Sequence, residues 1–184
     1  MPGQGRPDDP FLRYRAGDPG AFEEIVGEFA DRLVRFFRRL GGDAATADDL
    51  TQEVFLQMVC WAREYEPRGR IDSYVFRVAR NAWIDHVRAK QARPRPRSLE
   101  GPLEPIPDPS PGPRERAGGS EEAERVLAAL ARLPEVERLV VELGLFQGLP
   151  YAEVSSILEI PVGTVKSRMF AAVRRLRGEL RAEP

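Results

Sequence analysis

Near its C-terminal end the chain is apolar at Val154, Ile157 and Leu158, one face of a short helix, and then breaks at Glu159-Ile160-Pro161. It resumes with Val165, Met169, Val173, Leu176 and Leu180 at offsets of four, four, three and four. Those offsets lay side chains along one stripe of a 3.6-residue helix. Two short helices joined by so tight a turn bury their stripes by crossing, which predicts a helix-turn-helix. The same period recurs upstream. Phe22, Ile25, Val26, Phe29, Leu33, Phe36, Phe37 and Leu40 lie between a start signal, Asp18-Pro19, and a stop, Gly41-Gly42. A second helix is predicted from Ala44 to Tyr65 with Ala47, Leu50, Val54, Met58 and Trp61 as its stripe, ended by Pro67 and Gly69. A third, capped by Asp72 or Ser73, runs from Tyr74 to Gln91 with Val75, Val78, Ala79, Ala82 and Val87 inward. Two more stripes follow: Val126, Leu127, Leu130 and Leu133, then Leu139, Val140, Leu143 and Phe146 between Pro134 and Gly148. No window alternates apolar and polar over a strand's length, so the fold class is all-α.

Between these patterned stretches the composition divides the chain. Residues 1–17, broken by Pro2, Pro7 and Pro10, read as a disordered tail. Residues 18–92 form a first small helical domain and 120–184 a second, which holds the helix-turn-helix. The 27 residues from 93 to 119 contain eight of the 17 prolines. A segment so poor in apolar side chains cannot offset the entropy of ordering it, so it reads as a flexible linker.

Charge changes the picture more than its total suggests. The net charge is −1, yet residues 121–161 carry eight acids against three arginines, and 162–182 six basic groups against Glu179 alone. Residues 77–97 carry seven basic groups against Asp85. Lys166, Ser167, Arg168, Arg174, Arg175, Arg177 and Arg181 fall on the outer face of the last helix. A helix entering a major groove needs that chemistry, because cations neutralise phosphates while its first turns meet base edges. Turn, stripe and charge coincide here and point to DNA binding. Catalysis finds no counterpart: His86 is the single histidine and reads as lying on a helix side, and there is no zinc-ligand spacing or glycine-rich phosphate loop. No cofactor, metal or small-molecule substrate is expected. The lone Cys60 reads as a small core residue and fits a reducing cytoplasm. No uncharged run approaches the roughly 18 residues of a membrane span, and Met1–Arg15 has no apolar signal core.

Two helical domains, a proline-rich linker and a C-terminal helix-turn-helix resemble the extracytoplasmic-function group of bacterial σ factors. Asp48-Asp49-Leu50-Thr51-Gln52-Glu53-Val54-Phe55 is similar to that family's Glu-Asp-Leu-x-Gln-Glu-x-Phe segment. The resemblance implies that Asp48, Asp49, Leu50, Gln52, Glu53 and Phe55 dock on the clamp helices of core RNA polymerase. Val78-Ala79-Arg80-Asn81, with Asp85 and Arg88 beyond it, resembles the promoter-melting helix. It thereby assigns the −10 element to Tyr74, Arg77, Arg80, Asn81, Asp85 and Arg88. Leu133-Pro134 with Arg138, Gly148-Leu149-x-Tyr151-x-Glu153-Val154 and Pro161–Arg168 resemble the C-terminal domain of the family. The −35 element then falls to Thr164, Lys166, Ser167, Arg168, Phe170, Arg174 and Arg175. Promoter DNA, core polymerase and an anti-σ factor are the implied partners. Four positions depart from the family pattern: Tyr74 stands for Trp, Glu159 for the Gly of the turn, Ala171 for Arg, and Gly144 for a basic residue that often contacts DNA.

The residue chemistry agrees with these implications. An acidic, amide-bearing helix face suits a basic partner, and an amide beside arginines suits unpaired bases, which it can hydrogen-bond while guanidinium groups stack. The linker would span about 30 Å as a coil and about 80 Å as polyproline II, which brackets the roughly 50 Å of one and a half DNA turns. A conventional helix-turn-helix regulator is the alternative; it would need an upstream receiver or ligand domain, which residues 18–91 do not resemble. A helical module that sequesters a σ factor would leave the basic last helix unexplained.

Overall fold

The computed structural model describes residues 9–62, 65, 70–92 and 121–182, and among these all regular structure is helical. The aromatic-rich stripe becomes α2 (Gly20–Leu40), in which Ile25, Phe29, Leu33, Phe36 and Phe37 are fully buried. Gly41 takes φ +106°, and its N–H and that of Gly42 return to the carbonyls of Arg38 and Phe37. This left-handed cap satisfies the last carbonyls of α2 and is open to glycine at little cost.

Helix α3 (Ala44–Cys60) starts at Asp43, whose carboxylate accepts the Thr46 N–H at 2.7 Å. That hydrogen bond, together with the Thr46 hydroxyl, holds the Asp43 carboxyl below its ordinary range. The helix ends at Cys60, short of the predicted Tyr65, so the stripe stops at Met58; Trp61 is 56% exposed. Cys60 is exposed as well, not a core residue. Helix α4 (Ile71–Ala92) begins before the predicted Tyr74. Asp72 and Ser73, expected as caps, are buried in its first turn. Its core face includes Phe76 and Trp83, which the periodicity did not single out, whereas Val78 and Val87 are only half-buried.

The expected tail is only partly outside this fold. Residues 1–8 lie outside the described residues, but Asp9 caps a further helix, α1 (Pro10–Arg15), whose Phe11 is wholly buried. Asp9-Pro10 is the same start signal as Asp18-Pro19. The linker predicted over 93–119 also lies outside the described residues.

In the C-terminal half, α5 (Glu121–Ala131) and α6 (Glu135–Val141) precede a π turn at Glu142–Phe146, then α7 (Tyr151–Leu158) and α8 (Val162–Ala182). The buried residues of both halves form one contiguous cluster, with α2 packed on α5, α6 and the π turn, and α4 packed on α7.

Candidate nucleic-acid interface

Helix α7 stops where Glu159 adopts φ 57°, ψ 39°, the left-handed region the family's glycine would occupy without strain. The Ser155 hydroxyl donates to the Ile160 carbonyl at 2.6 Å, and the Pro161 carbonyl accepts from the N–H groups of Thr164 and Val165. Val154, Ile157 and Leu158 then meet Val165, Met169 and Ala172 in the core. What remains outward on α8 is Lys166, Ser167, Phe170, Arg174, Arg175, Arg177 and Arg181, with Phe170 72% exposed. Thr164 and Arg168 are half-buried, and Arg175 leans toward Glu137 at 3.3 Å. An open groove of about 720 Å³ runs along this face, with Tyr151 and Met169 among its apolar lining and Lys166, Arg174, Arg177 and Arg181 supplying charge. Gly144 sits beneath it: a Cβ there would come within 2.8 Å of the Met169 methyl. That methyl ends a flexible side chain, so a small side chain at 144 would need it to move aside.

On α4, Tyr74, Arg77, Asn81 and Asp85 share one face and, with Gln57, Trp61 and Val78, line a second groove of about 500 Å³. Asn81 and Asp85 are exposed, and Arg88 lies 3.7 Å from Asp85. Arg80 is different: its Nη1 donates to Asn81 Oδ1 at 3.0 Å and lies 3.8 Å from a Glu159 carboxylate oxygen, and its side chain is only 20% exposed. Arg77 reaches the Ser156 hydroxyl at 3.4 Å, and Ser73 donates to Glu153. The first helix of the helix-turn-helix thus lies against the upper part of α4.

The acidic strip of α3 is open. Asp48, Asp49, Gln52 and Glu53 are exposed, and Gln57 donates to Glu53 at 2.8 Å. Two of the residues grouped with them are less open: Leu50 is buried and Phe55 half-buried. Leu50 is 4% exposed in the core, and Phe55 packs edge-on against Phe22 with ring centroids 6.2 Å apart. The apolar residue that does share the strip is Leu56, 65% exposed. Its position three and seven residues after Glu53 and Asp49 was the available signal.

The chain matches the family models described as Sigma-70 region 2, over residues 25–93, and Sigma-70, region 4, over residues 123–176. It is 32% identical over 161 residues to the ECF RNA polymerase sigma factor RpoE of Cereibacter sphaeroides, covering 87% of this chain and 86% of that one. The chain belongs to the ECF RNA polymerase sigma factors. A second sigma factor, SigK of Mycobacterium ulcerans, is 32% identical over 97% of both chains. SigE of Mycolicibacterium smegmatis is 33% identical over 89% of this chain, which spans 64% of the length of that relative. In fold, this sigma factor is similar to CnrH in its complex with the cytosolic domain of CnrY: TM-score 0.72 at 20% identity, covering 95% of this chain and 97% of that one. It is likewise similar to the Bartonella quintana sigma factor RpoE in complex with the anti-sigma factor NepR, at TM-score 0.68 and 22% identity over 89% of this chain and 98% of that one.

Between the two matched regions of the sigma factor runs a buried polar network. Arg39 on α2 grips Glu142 of the π turn through two hydrogen bonds, 2.6 and 2.7 Å, and Glu142 is 1% exposed. The Arg39 guanidinium also lies 4.4 Å from the centroid of the Phe146 ring. Gln147 donates to Glu142 at 2.9 Å and accepts from Arg32 at 3.2 Å, and Arg32 donates on to Asp72 of α4 at 2.9 Å. Arg138 donates to the Leu40 carbonyl at the end of α2 at 2.6 Å, and burial lowers its pKa from the ordinary value. Among the described residues no group of three His, Cys, Asp or Glu side chains could hold a metal ion, and no helix is long and apolar enough to cross a membrane.

Proposed function

We propose that this protein is an alternative sigma factor that acts in the cytoplasm, binds core RNA polymerase through the exposed strip of α3, reads the −35 duplex with α8, and holds a strand of the opened −10 element against α4. It contributes no catalytic group; bond formation belongs to the polymerase. An anti-σ factor that covers these surfaces is the expected regulator. The observation that carries the reading is the presence on one chain of three exposed surfaces with different chemistry: an acidic, amide-bearing helix strip, an open basic groove, and an aromatic-and-amide groove beside arginines.

Each surface suits one partner. Cations around an apolar floor fit a duplex backbone and a thymine methyl. Tyr74 and Trp61 offer rings on which a base can stack, and Asn81 offers an amide for its edge. Arg77 and Arg80 cannot serve both a DNA strand and α7, so strand capture needs α7 to leave α4. In vitro transcription with core polymerase over a promoter library tests the whole proposal. Specific initiation is expected with the chain and not without it. Charge reversal at Asp49 and Glu53 should abolish co-purification with core enzyme while helical content is kept. Specific duplex binding with no polymerase-dependent initiation would instead favour a conventional helix-turn-helix regulator.

A further inference from the structure

Tyr74 lines the groove beside Asn81, but it does not stand alone there. Behind it lie Tyr65, with ring centroids 4.7 Å apart, and Phe11, at 5.4 Å. Phe11 and Tyr65 in turn meet edge-to-face at 4.8 Å. Both come from outside the element that carries Tyr74: Phe11 from α1 and Tyr65 from the connection between α3 and α4.

Three polar contacts fix this aromatic trio. The Tyr65 hydroxyl donates to Asp9 Oδ2 at 2.6 Å, and the Phe11 N–H donates to Asp9 Oδ1 at 2.9 Å. Arg15 donates to the Tyr65 carbonyl at 2.7 Å. Asp9 is 8% and Tyr65 4% exposed, so the carboxylate and the hydroxyl meet largely away from water. Burial, and after it the hydrogen bond to Asp9, raises the Tyr65 pKa well above its ordinary value, so the phenol stays a donor at any working pH. A buried carboxylate that accepts two hydrogen bonds has few other arrangements open to it. The rings it anchors are therefore held in register.

We propose that Asp9, Phe11 and Tyr65 are positioning residues that fix the ring of Tyr74 as one wall of the groove that takes an unpaired promoter base. The proposal rests on the reading of that groove given above. It assigns a promoter-recognition role to α1, which lies ahead of the matched sigma region at 25–93. Stacking on an aromatic ring depends on the plane and position of that ring. A Tyr74 side chain released from Phe11 and Tyr65 would still be present but would lose its fixed presentation.

Tyr65→Phe is the discriminating variant, because it removes the hydroxyl and keeps the ring. Holoenzyme assembled from core polymerase and the full chain would be bound to a promoter fragment pre-opened across the −10 element. That fragment carries 2-aminopurine at each unpaired position in turn, and stacking quenches its fluorescence. A positioning contact can transmit at most its own free energy, so Tyr65→Phe should weaken binding to the pre-opened fragment about fivefold. Quenching should fall at the one position that Tyr74→Ala also affects. Binding to the intact −35 duplex should stay unchanged. Asp9→Ala should lose at least as much, because it also removes the acceptor of the Phe11 N–H. Adding Tyr65→Phe to it should cost nothing further at that position, since the hydroxyl has already lost its acceptor. Either variant lowers folding stability whatever its role, so the base-specific signal decides. If Tyr74→Ala and Asn81→Ala lower the quenching while Tyr65→Phe and Asp9→Ala leave it at wild type, α1 holds only the fold and the inference is overturned. If Tyr74→Ala itself changes nothing, the base-binding reading of the groove fails, and this inference with it.

Discussion

Helices α4 and α8 both carry arginines suited to DNA, yet those arginines meet their surroundings differently. Along α8, Lys166, Arg174, Arg177 and Arg181 border an open groove. On α4, Arg80 keeps only 20% of its side chain exposed beside Glu159, and Arg77 lies within reach of Ser156. Both grooves are open, but two arginines at the α4 surface, Arg77 and Arg80, are already engaged by the other half of the chain. Under the proposed roles this would match the order of events: duplex is met first, and unpaired bases exist only after opening. The contacts that engage Arg77 and Arg80 weigh little individually, being exposed or long. One layer down, the shared apolar cluster and the Arg39–Glu142 pair hold the two halves together.

Removing that pair's cation is expected to have the largest effect. Arg39→Ala would leave Glu142 buried without its partner, a loss of about 3–5 kcal/mol. Equilibrium denaturation should read it, and replacing both residues by leucine should restore most of the loss. The same variant should bind pre-opened promoter DNA better relative to duplex, because α7 no longer sits firmly on α4. A loss below about 1 kcal/mol, the range of an exposed pair, would mean the two halves do not rest on each other in solution, and the contrast between α4 and α8 would dissolve.

How much of this was legible in the sequence follows from range. The helix-turn-helix, the α2 stripe and the exposed acidic strip are local patterns, and periodicity reads local patterns well. The family motifs then tied them to one another. Helix α1 was missed although Asp9-Pro10 repeats the Asp18-Pro19 signal, because three prolines dominated the reading of that segment. Phe76 and Trp83 were missed because a stripe of Val and Ala already satisfied the helical period. The Arg39–Glu142 pair joins residues far apart in sequence, and no local pattern announces such a meeting. Gly144 read as a lost DNA contact. In the fold its Cβ position lies 2.8 Å from the Met169 methyl, the movable end of a flexible side chain, a proximity that only the folded turn reveals.

Single substitutions on the two helices sharpen the contrast at the next level down. Lys166→Ala and Arg168→Ala should each weaken binding to intact promoter duplex. A base contact is worth about 1–3 kcal/mol, and a phosphate contact lowers the salt slope by about one. Pre-melting the −10 element should not rescue either. Asn81→Ala should leave duplex binding near wild type and slow opening, with partial rescue on the pre-melted fragment. Permanganate footprinting beside binding on both templates separates the classes. Equal rescue of both would contradict the division of labour.

The smallest expected effect is at Glu159, where backbone and side chain pull in opposite directions. Its φ of 57° is a conformation that disfavours any residue with a Cβ, by about 1–2 kcal/mol. Its carboxylate, on a side chain 78% exposed, lies 3.8 Å from Arg80, a contact worth only a few tenths of a kcal/mol after solvent screening. The backbone term is the larger, so Glu159→Gly should raise stability by about 0.5–1 kcal/mol once the extra unfolded-state freedom of glycine is set against the relief. Glu159→Ala keeps the strain and loses only the carboxylate, so it should be neutral or slightly destabilising. The two variants separate fold from function, since both free Arg80 to the same extent. If α7 restrains α4 partly through this carboxylate, both should open promoters slightly faster than the parent, and by the same factor, although their stabilities differ in sign. Thermal unfolding together with opening rates on a duplex promoter would test this. A faster rate in the glycine variant alone would trace the effect to the turn instead of to Arg80.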